Sequence, residues 1–185
     1  RELLEKIKSH EIDCQKKLEQ EKIIVARKYK LDKLIKNSEL MVLTNDSDVQ
    51  MLLRTKPVRT LSGVANIAVM WLGEMTPKGN NFSCPFSCVY CPQGKGVPKS
   101  YTGSEPTTKR ALRNDFDPYL QVKNRLYQFY VIGHKTDKCE LIVMGGTILA
   151  WKKENMEHFV KRCFDAFNEK ESESLEEAKM LNERA

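Results

Sequence analysis

The sequence predicts an α/β fold in which parallel strands alternate with helices. Two stretches, GVANIAVMWL at residues 63–72 and CELIVMGGT from residue 139, are apolar enough to form buried strands, and a helical segment follows each of them. This alternation is typical of parallel βα units. Two strands cannot cover both faces of a parallel sheet, so we expect the sheet to be incomplete in this chain.

Length and composition indicate a soluble globular protein. The chain has 185 residues, of which 41% are hydrophobic and 30% charged, and these values exclude a disordered class. No apolar run approaches the roughly 20 residues that cross a bilayer, and the first residues do not resemble a signal peptide. We therefore expect a cytoplasmic protein without a membrane partner. Because structural disulfides are rare there, its cysteines should serve burial, metal binding or reactivity.

The first 60 residues are predicted to form a helical, basic region. Residues 2–35 carry a broken apolar stripe of helical spacing, formed by Leu3, Leu4, Ile7, Leu18, Ile23, Ile24, Leu31, Leu34 and Ile35. A short helix is expected after NDSD, where Asp46 or Ser47 can cap free backbone amides. Residues 22–36 hold six lysines and arginines against Asp32 alone. This surface suits a polyanion such as RNA, although an ordinary solvated helix face has the same composition.

The helices after the first strand have recognisable ends. Asp117 before Pro118 predicts a helix start, and Gly133 predicts the end of that helix. A second amphipathic helix is predicted over NMEHFVKRCFDAF, with Cys163 facing inward. Ser174, followed three residues later by Glu177, predicts the start of the last helix.

Three cysteines lie within eight positions of one loop, directly after the first predicted strand: Cys84, Cys88 and Cys91. A tetrahedral zinc site would need a fourth ligand, such as His134. A disulfide would leave one thiol over and would close a very short loop. A [4Fe–4S] cluster held by three thiolates would leave one iron without a protein ligand, open to a small molecule.

The C-x-x-x-C-x-aromatic-C arrangement resembles the signature of radical S-adenosylmethionine enzymes. Its position after the first strand agrees with the place where βα folds carry their active sites. Longer blocks, among them SYTGSEPT, DPYLQ and GHKTDK with IVMGGT, resemble the catalytic subunit of Elongator, a tRNA wobble-uridine carboxymethyltransferase. The resemblance implies a partial (β/α) radical S-adenosylmethionine barrel at residues 61–185, after a helical tRNA-binding region at residues 1–60. We expect the remaining barrel strands and an acetyltransferase-like domain to be absent from this chain, and the chain alone to be inactive.

The resemblance also implies a chemistry. Cys84, Cys88 and Cys91 would hold the [4Fe–4S] cluster, which cleaves S-adenosylmethionine to a 5′-deoxyadenosyl radical. That radical activates the methyl group of acetyl-CoA, which then adds to C5 of the wobble uridine. No catalytic side chain is implied, because the radical is generated at the cofactor.

The resemblance assigns the remaining site residues by their contacts. The cofactor would be contacted by Tyr90, Gly145, Gly146 and Thr147, of which Thr147 stands where many relatives carry glutamate. Acetyl-CoA would be contacted by Lys138. Contacts to tRNA are expected from basic and aromatic residues that pair with phosphates or stack on bases, namely Lys28, Lys30, Lys33, Arg54, Lys56, Arg59, Tyr101, Lys109, Arg110 and Arg113.

The implied partners are tRNA and acetyl-CoA, together with other Elongator-type subunits or a second copy of the chain. Two alternatives remain open at this point. One is a zinc-stabilised RNA-binding module without catalysis, and the other is a radical S-adenosylmethionine enzyme that acts on a different substrate. The stretch WLGEMTPKGNNFS before the cysteine loop has no interpretation from the sequence.

Overall fold

The structure is a computed structural model that describes residues 1–72, 74–75, 81–82 and 84–183. It contains two compact units. The first comprises Arg1–Ala65 with Tyr127–Cys139, and the second comprises Asn66–Leu126 with Glu140–Ala185. The functional boundary predicted at residue 60 stays a prediction.

The amino-terminal part of the first unit is built from short helices. They are α1 (Glu2–Lys8), α2 (Gln15–Lys28), α3 (Asn37–Met41) and α4 (Ser47–Leu53), followed by a 3-10 turn at Pro57–Thr60. The predicted helical stretch over residues 2–35 is therefore interrupted between Lys8 and Gln15 and ends at Lys28. The predicted cap of α4 is confirmed, because Asp46 Oδ1 accepts hydrogen bonds from the Asp48 and Val49 amides at 3.1 and 3.3 Å.

The core of the first unit only partly follows the predicted apolar stripe. Leu3, Leu4, Ile7 and Leu18 are buried in one cluster with residues of α3 and α4. The prediction is wrong for the members of the stripe that are exposed, namely Ile23, Ile24, Leu31 and Leu34. Lys22 takes an inward position because it shares a helix face with Leu18 and Val25. Its buried ammonium group is compensated by Glu19 at 2.7 Å and by the Asn37 side chain.

The other elements follow in chain order and agree with the predicted alternation. They are β1 (Ala65–Met70), β2 (Glu74–Met75), β3 (Asn81–Phe82), α5 (Pro106–Leu112), α6 (Pro118–Val131), β4 (Cys139–Met144), α7 (Lys153–Asn168) and α8 (Leu175–Glu183). α5 was not predicted. Strands β2 and β3 pair antiparallel within the stretch left without interpretation, and the rest of that stretch lies largely outside the described residues.

Strands β1 and β4 form a two-stranded parallel sheet. The Ala65 amide donates to the Lys138 carbonyl at 2.9 Å, and the Trp71 amide donates to the Met144 carbonyl at 3.1 Å. Both strands advance by the same number of residues between these two bonds, which defines parallel pairing. The predicted α/β class is confirmed at this level. Gly145 directly follows the carboxyl end of β4, whereas Cys84 comes after β1 and the paired strands β2 and β3.

Helix α6 is joined to β1 by one buried side chain. Asp117 Oδ1 accepts from the Leu120 amide at 2.7 Å, which confirms the predicted helix start. One turn later, Gln121 Oε1 accepts from the Met70 amide at 2.9 Å while Gln121 Nε2 donates to the Met70 carbonyl at 2.8 Å. Both residues are buried. The amide group thus occupies the hydrogen-bonding position that a neighbouring strand would fill at the last residue of β1.

Helices α7 and α8 are the last two elements of the second unit in chain order. Cys163 on α7 is fully buried, as predicted, and burial raises the pKa of its thiol to about 12. The Ser174 hydroxyl accepts from the Glu177 amide at 3.1 Å, which confirms the predicted start of α8. Across the described residues, every helix falls short of the length and apolarity needed to cross a membrane.

Candidate metal and cofactor site

The cysteine loop folds back on itself after β3. A turn is closed by the Cys91 amide, which donates to the Cys88 carbonyl at 3.2 Å. Further along, the Ser100 amide donates to the Pro92 carbonyl at 3.0 Å, and the Gly94 amide donates to the Tyr101 carbonyl at 2.9 Å. All six cysteines are free thiols. The disulfide interpretation therefore has no support in the structure.

The first cysteine meets the loop that follows β4. Cys84 Sγ and Thr147 Oγ1 share a hydrogen bond of 3.3 Å. The hydrogen bond with Thr147 lowers the pKa of the Cys84 thiol, with smaller contributions from the Phe86 backbone and the Lys99 charge, against the opposing effect of burial. Two loops that are 63 residues apart in sequence thus come together where β1 and β4 end.

The third cysteine is held by a second hydroxyl group. Cys91 Sγ and Ser100 Oγ lie 3.0 Å apart and share a hydrogen bond. Cys88, between these two anchored thiols, is exposed, and so is the neighbouring Tyr90, whose exposed fraction is 89%. The loop therefore presents its middle cysteine and its aromatic residue to solvent.

The three thiols match a cluster by donor type. Thiolates are the usual protein ligands of iron–sulfur clusters, and three of them within one short loop leave an open corner. In the part of the chain that the structure describes, no group of three His, Cys, Asp or Glu side chains is arranged to hold a single metal ion. The assignment of Cys84, Cys88 and Cys91 as ligands therefore stays a prediction.

Packing explains why glycine follows β4, independently of the predicted contact with the cofactor. Gly145 is buried with a φ of +126°, and a Cβ placed there would lie 2.4 Å from the Trp71 carbonyl oxygen. Only glycine allows this close approach between the segments that follow the two strands. Gly146 also has a positive φ, of 70°, and it is half-buried. Contact of either glycine with a cofactor stays a prediction.

His134 is engaged in the first unit. Its Nε2 lies 2.8 Å from the Thr55 carbonyl oxygen and its Nδ1 lies 2.7 Å from Thr60 Oγ1. Because a carbonyl only accepts, Nε2 carries a proton, while the threonine hydroxyl can either donate to Nδ1 or accept from it. A zinc site that used His134 would have to break one of these bonds. The histidine instead fixes the segment that contains Lys56 and Arg59.

The candidate tRNA residues fall into two groups in the structure. Those that are exposed are Lys28, Lys30, Lys33, Lys56, Arg59, Lys109 and Arg113. Lys28 pairs with Glu2 at 2.9 Å. Two others have structural contacts, since Arg54 donates to the Gly133 carbonyl at 2.8 Å and Arg110 donates to the Thr107 hydroxyl at 2.8 Å. The predicted acetyl-CoA ligand, Lys138, is exposed.

Tyr101 differs most from its predicted role. Its ring packs against the core cluster formed by Met70, Val97, Ala111 and Phe116. Burial raises the pKa of its phenol, and the nearby Gly145 backbone partly opposes this effect. These contacts give Tyr101 a structural role that the sequence did not indicate, while a tRNA contact stays a prediction. Sequence reasoning also missed Lys99, Ser100 and Gln121, because their contacts join residues that are distant in the chain or lie inside an irregular loop.

Comparison with known proteins supports the resemblance seen in the sequence. No protein-family model matches the chain. A tRNA uridine(34) acetyltransferase from Methanocaldococcus infernus is 48% identical over 157 residues, which cover 80% of this chain and 28% of the relative. Elongator complex protein 3 from Drosophila melanogaster is 36% identical over 189 aligned residues, which cover 98% of this chain and 34% of the relative.

Among solved structures, the archaeal Elp3 from Methanocaldococcus infernus with an N-terminal deletion matches at 39% identity. That match covers 66% of this chain and 20% of the solved chain, with a TM-score of 0.44, which is too low to support an argument about the fold. These sequence identities show that the chain is a homologue of proteins named tRNA uridine(34) acetyltransferase. Over the part that it covers, the chain is a homologue of the Elongator protein 3 family, as the resemblance predicted. It spans about a third or less of the length of the curated relatives described above.

Proposed function

We propose that this chain supplies the cluster-binding part of an enzyme that modifies the wobble uridine of tRNA. The proposed reaction adds a carboxymethyl group from acetyl-CoA to C5 of that uridine. The observation that carries the proposal is the hydrogen bond of 3.3 Å between Cys84 and Thr147. It joins the two loops to which the family resemblance assigns the cluster and the cofactor.

The proposed fold is the first part of a (β/α) radical S-adenosylmethionine barrel. Support comes from the parallel pairing of β1 and β4 and from the place of the cysteine loop after the first strand. The homologues named tRNA uridine(34) acetyltransferase support the substrate class. A cytoplasmic location agrees with a tRNA substrate.

Cys84, Cys88 and Cys91 would hold the [4Fe–4S] cluster. When bound, such a cluster supplies the electron that cleaves S-adenosylmethionine. The chain's own contribution is to orient the thiols and to shape the ends of the two strands. Thr147 and Ser100 fix the first and third thiols through hydrogen bonds, and hydrogen bonds of this kind tune iron–sulfur centres.

Binding of tRNA is proposed for the exposed basic residues of the first unit. Lys56 and Arg59 lie on the turn at Pro57–Thr60 and just before it, and both are exposed. His134 holds both ends of this short segment through Thr55 and Thr60. An ordered basic turn pairs with phosphates at a smaller entropic cost than a flexible one.

The test uses the full-length protein, purified without oxygen and reconstituted with iron and sulfide. Wild type should bind four irons, a number set by the proposed cluster type, cleave S-adenosylmethionine and form 5-carboxymethyluridine in tRNA with acetyl-CoA. Cys88→Ala should lose the cluster and the cleavage of S-adenosylmethionine. Cys14→Ala is the matched control, because Cys14 is also exposed but lies outside the loop.

Three results would contradict the proposal. One zinc per chain without iron–sulfur absorption would favour the zinc-stabilised RNA-binding module. A loaded cluster that cleaves S-adenosylmethionine without forming 5-carboxymethyluridine would favour a different substrate. Cleavage by Cys88→Ala at the wild-type rate would show that the three cysteines were wrongly assigned.

A further inference from the structure

Three consecutive residues after the cysteine loop each contact a different part of the candidate site. They are Lys99, Ser100 and Tyr101, here called the bracing segment. Sequence reasoning gave Lys99 and Ser100 no role. In the structure, the segment contacts the loop on both sides of Cys88 and also packs against the core cluster that includes Met70, the last residue of β1.

Lys99 holds the backbone between the first two cysteines. Its Nζ donates to the Phe86 carbonyl at 2.7 Å, in the middle of the three-residue gap between Cys84 and Cys88. A charged donor on a carbonyl is one of the stronger hydrogen bonds in proteins. This bond fixes the path of the loop just before the exposed Cys88.

Ser100 holds the other end of the loop. Its hydroxyl shares a hydrogen bond of 3.0 Å with Cys91 Sγ, and its amide donates to the Pro92 carbonyl at 3.0 Å. Ser100 has a φ of +76°, a conformation that residues other than glycine rarely adopt. Such strain persists where the surrounding contacts over-determine the backbone, which is common at functional sites.

Tyr101 attaches the segment to the rest of the second unit. Its ring lies against the core cluster that includes Met70 and Val97. Its carbonyl also accepts from the Gly94 amide at 2.9 Å. The contacts of Lys99 and Ser100 are therefore anchored to a half-buried residue that packs on the core.

We propose that the bracing segment is a positioning device for the metal-binding loop, and that Ser100 additionally donates a hydrogen bond to the bound Cys91 sulfur. The inference rests on the proposed function, because it assumes that Cys84, Cys88 and Cys91 bind a cluster. Residues that orient metal ligands affect affinity without touching the metal. A hydrogen bond to a ligand sulfur favours the more negative, reduced form of the cluster and so raises its reduction potential.

The experiment measures cluster retention and reduction potential in the reconstituted full-length protein. Three variants are made: Ser100→Ala, Ser100→Gly and Lys99→Met. The control for the two Ser100 variants is Ser104→Ala, and the control for Lys99→Met is Lys95→Met. Both controls change exposed residues from the same region. We expect all three variants to lose the cluster to an iron chelator about 10- to 100-fold more readily than wild type. Both Ser100 variants should also show a more negative reduction potential. Both Ser100 variants lack the hydroxyl, but only Ser100→Gly relieves the strain of the positive φ. An equal shift of the reduction potential in the two variants would therefore identify the lost hydroxyl, rather than backbone strain, as the cause.

The outcomes separate the two proposals. A wild-type protein that binds no cluster would overturn the proposed function. A wild-type protein that binds a cluster, with Ser100 and Lys99 variants that match their controls in retention and potential, would overturn the bracing role and leave the proposed function intact. Lower retention in the variants at an unchanged potential would support positioning and contradict the hydrogen bond to sulfur.

Discussion

At the scale of single residues, the candidate site depends on contacts between positions far apart in the chain. Cys84 reaches Thr147, and Gly145 lies against the backbone of Trp71. The contact between Cys84 and Thr147 joins a proposed cluster ligand to a proposed cofactor-binding residue. The close packing of Gly145 on Trp71 allows the segments that follow β1 and β4 to approach each other. The site therefore requires a residue without a side chain at position 145, whether or not a cofactor is bound.

We predict that Gly145→Ala destabilises the protein more than Gly96→Ala does. An added Cβ at position 145 would meet the Trp71 carbonyl at 2.4 Å, whereas at Gly96 it would meet nothing within 4 Å. Both positions have positive φ, so both substitutions cost about 1–3 kcal/mol of backbone strain, and the clash adds to this at Gly145. Urea unfolding of the two variants measures the difference. If both variants lost the same free energy of unfolding, the segments after β1 and β4 could move apart without an energetic penalty.

At the scale of elements, Gln121 fixes helix α6 to the end of β1. We predict that Gln121→Leu lowers the free energy of unfolding by about 1–3 kcal/mol for each Met70 backbone group left without a partner. Leucine keeps most of the side-chain volume, so the loss measures hydrogen bonding rather than a cavity. Gln20→Leu, at an exposed position of α2, is the control and should change stability by less than about 0.5 kcal/mol. A Gln121 variant as stable as the control would contradict the role of this pair.

The turn before α5 is organised by one carboxylate. Glu105 Oε1 accepts from the Thr102 amide and hydroxyl, both at 2.8 Å, and Oε2 accepts from the Gly103 amide at 3.1 Å and the Thr108 hydroxyl at 3.0 Å. Hydrogen bonds from the Thr102 backbone and the turn lower the pKa of Glu105 to about 2. Because this pKa lies below that of the unfolded chain, the stabilisation is present above about pH 4.5 and is lost as the pH falls towards 2.

We therefore predict that Glu105→Gln removes part of the acid sensitivity of the protein. The stability difference between wild type and variant should be greatest near neutral pH and should shrink as the pH falls from about 4.5 towards 2. Urea midpoints measured over this range provide the test, with Glu154→Gln at an exposed position of α7 as the control. A difference that is constant with pH would show that the carboxylate does not organise the turn.

At the scale of the whole molecule, local signals were predictable and long-range contacts were not. Asp46, Asp117 and Ser174 mark helix starts because a cap is a contact within three residues. The apolar stripe failed at Ile23 and Ile24, because the α2 face that is buried is set by packing against other helices. Gln121, His134 and Ser100 act through distant partners or an irregular loop, and no periodicity in the sequence reports such contacts. The cysteine spacing indicated the site, but its junction with Thr147 required the structure.

We predict that the basic turn of the first unit contributes to tRNA binding by charge. Replacing Lys56 and Arg59 together with glutamine should reduce the slope of log affinity against log salt by about 2, or about 1 for each lost phosphate contact. Fluorescence anisotropy with labelled tRNA and the full-length protein, between roughly 50 and 200 mM salt, measures this slope. Lys179→Gln, on α8, is the control. An unchanged slope would make Lys56 and Arg59 ordinary surface residues.

The burial of Cys163 gives this protein a natural reporter. Its side chain has no exposed surface, and burial raises the pKa of its thiol to about 12, so alkylating reagents should label it only when α7 opens. Cys14, in contrast, is exposed and lies outside the proposed cluster loop, so it should be labelled at once. The ratio of slow to fast labelling, followed by mass spectrometry, would therefore time the opening of the second unit without any introduced dye or mutation.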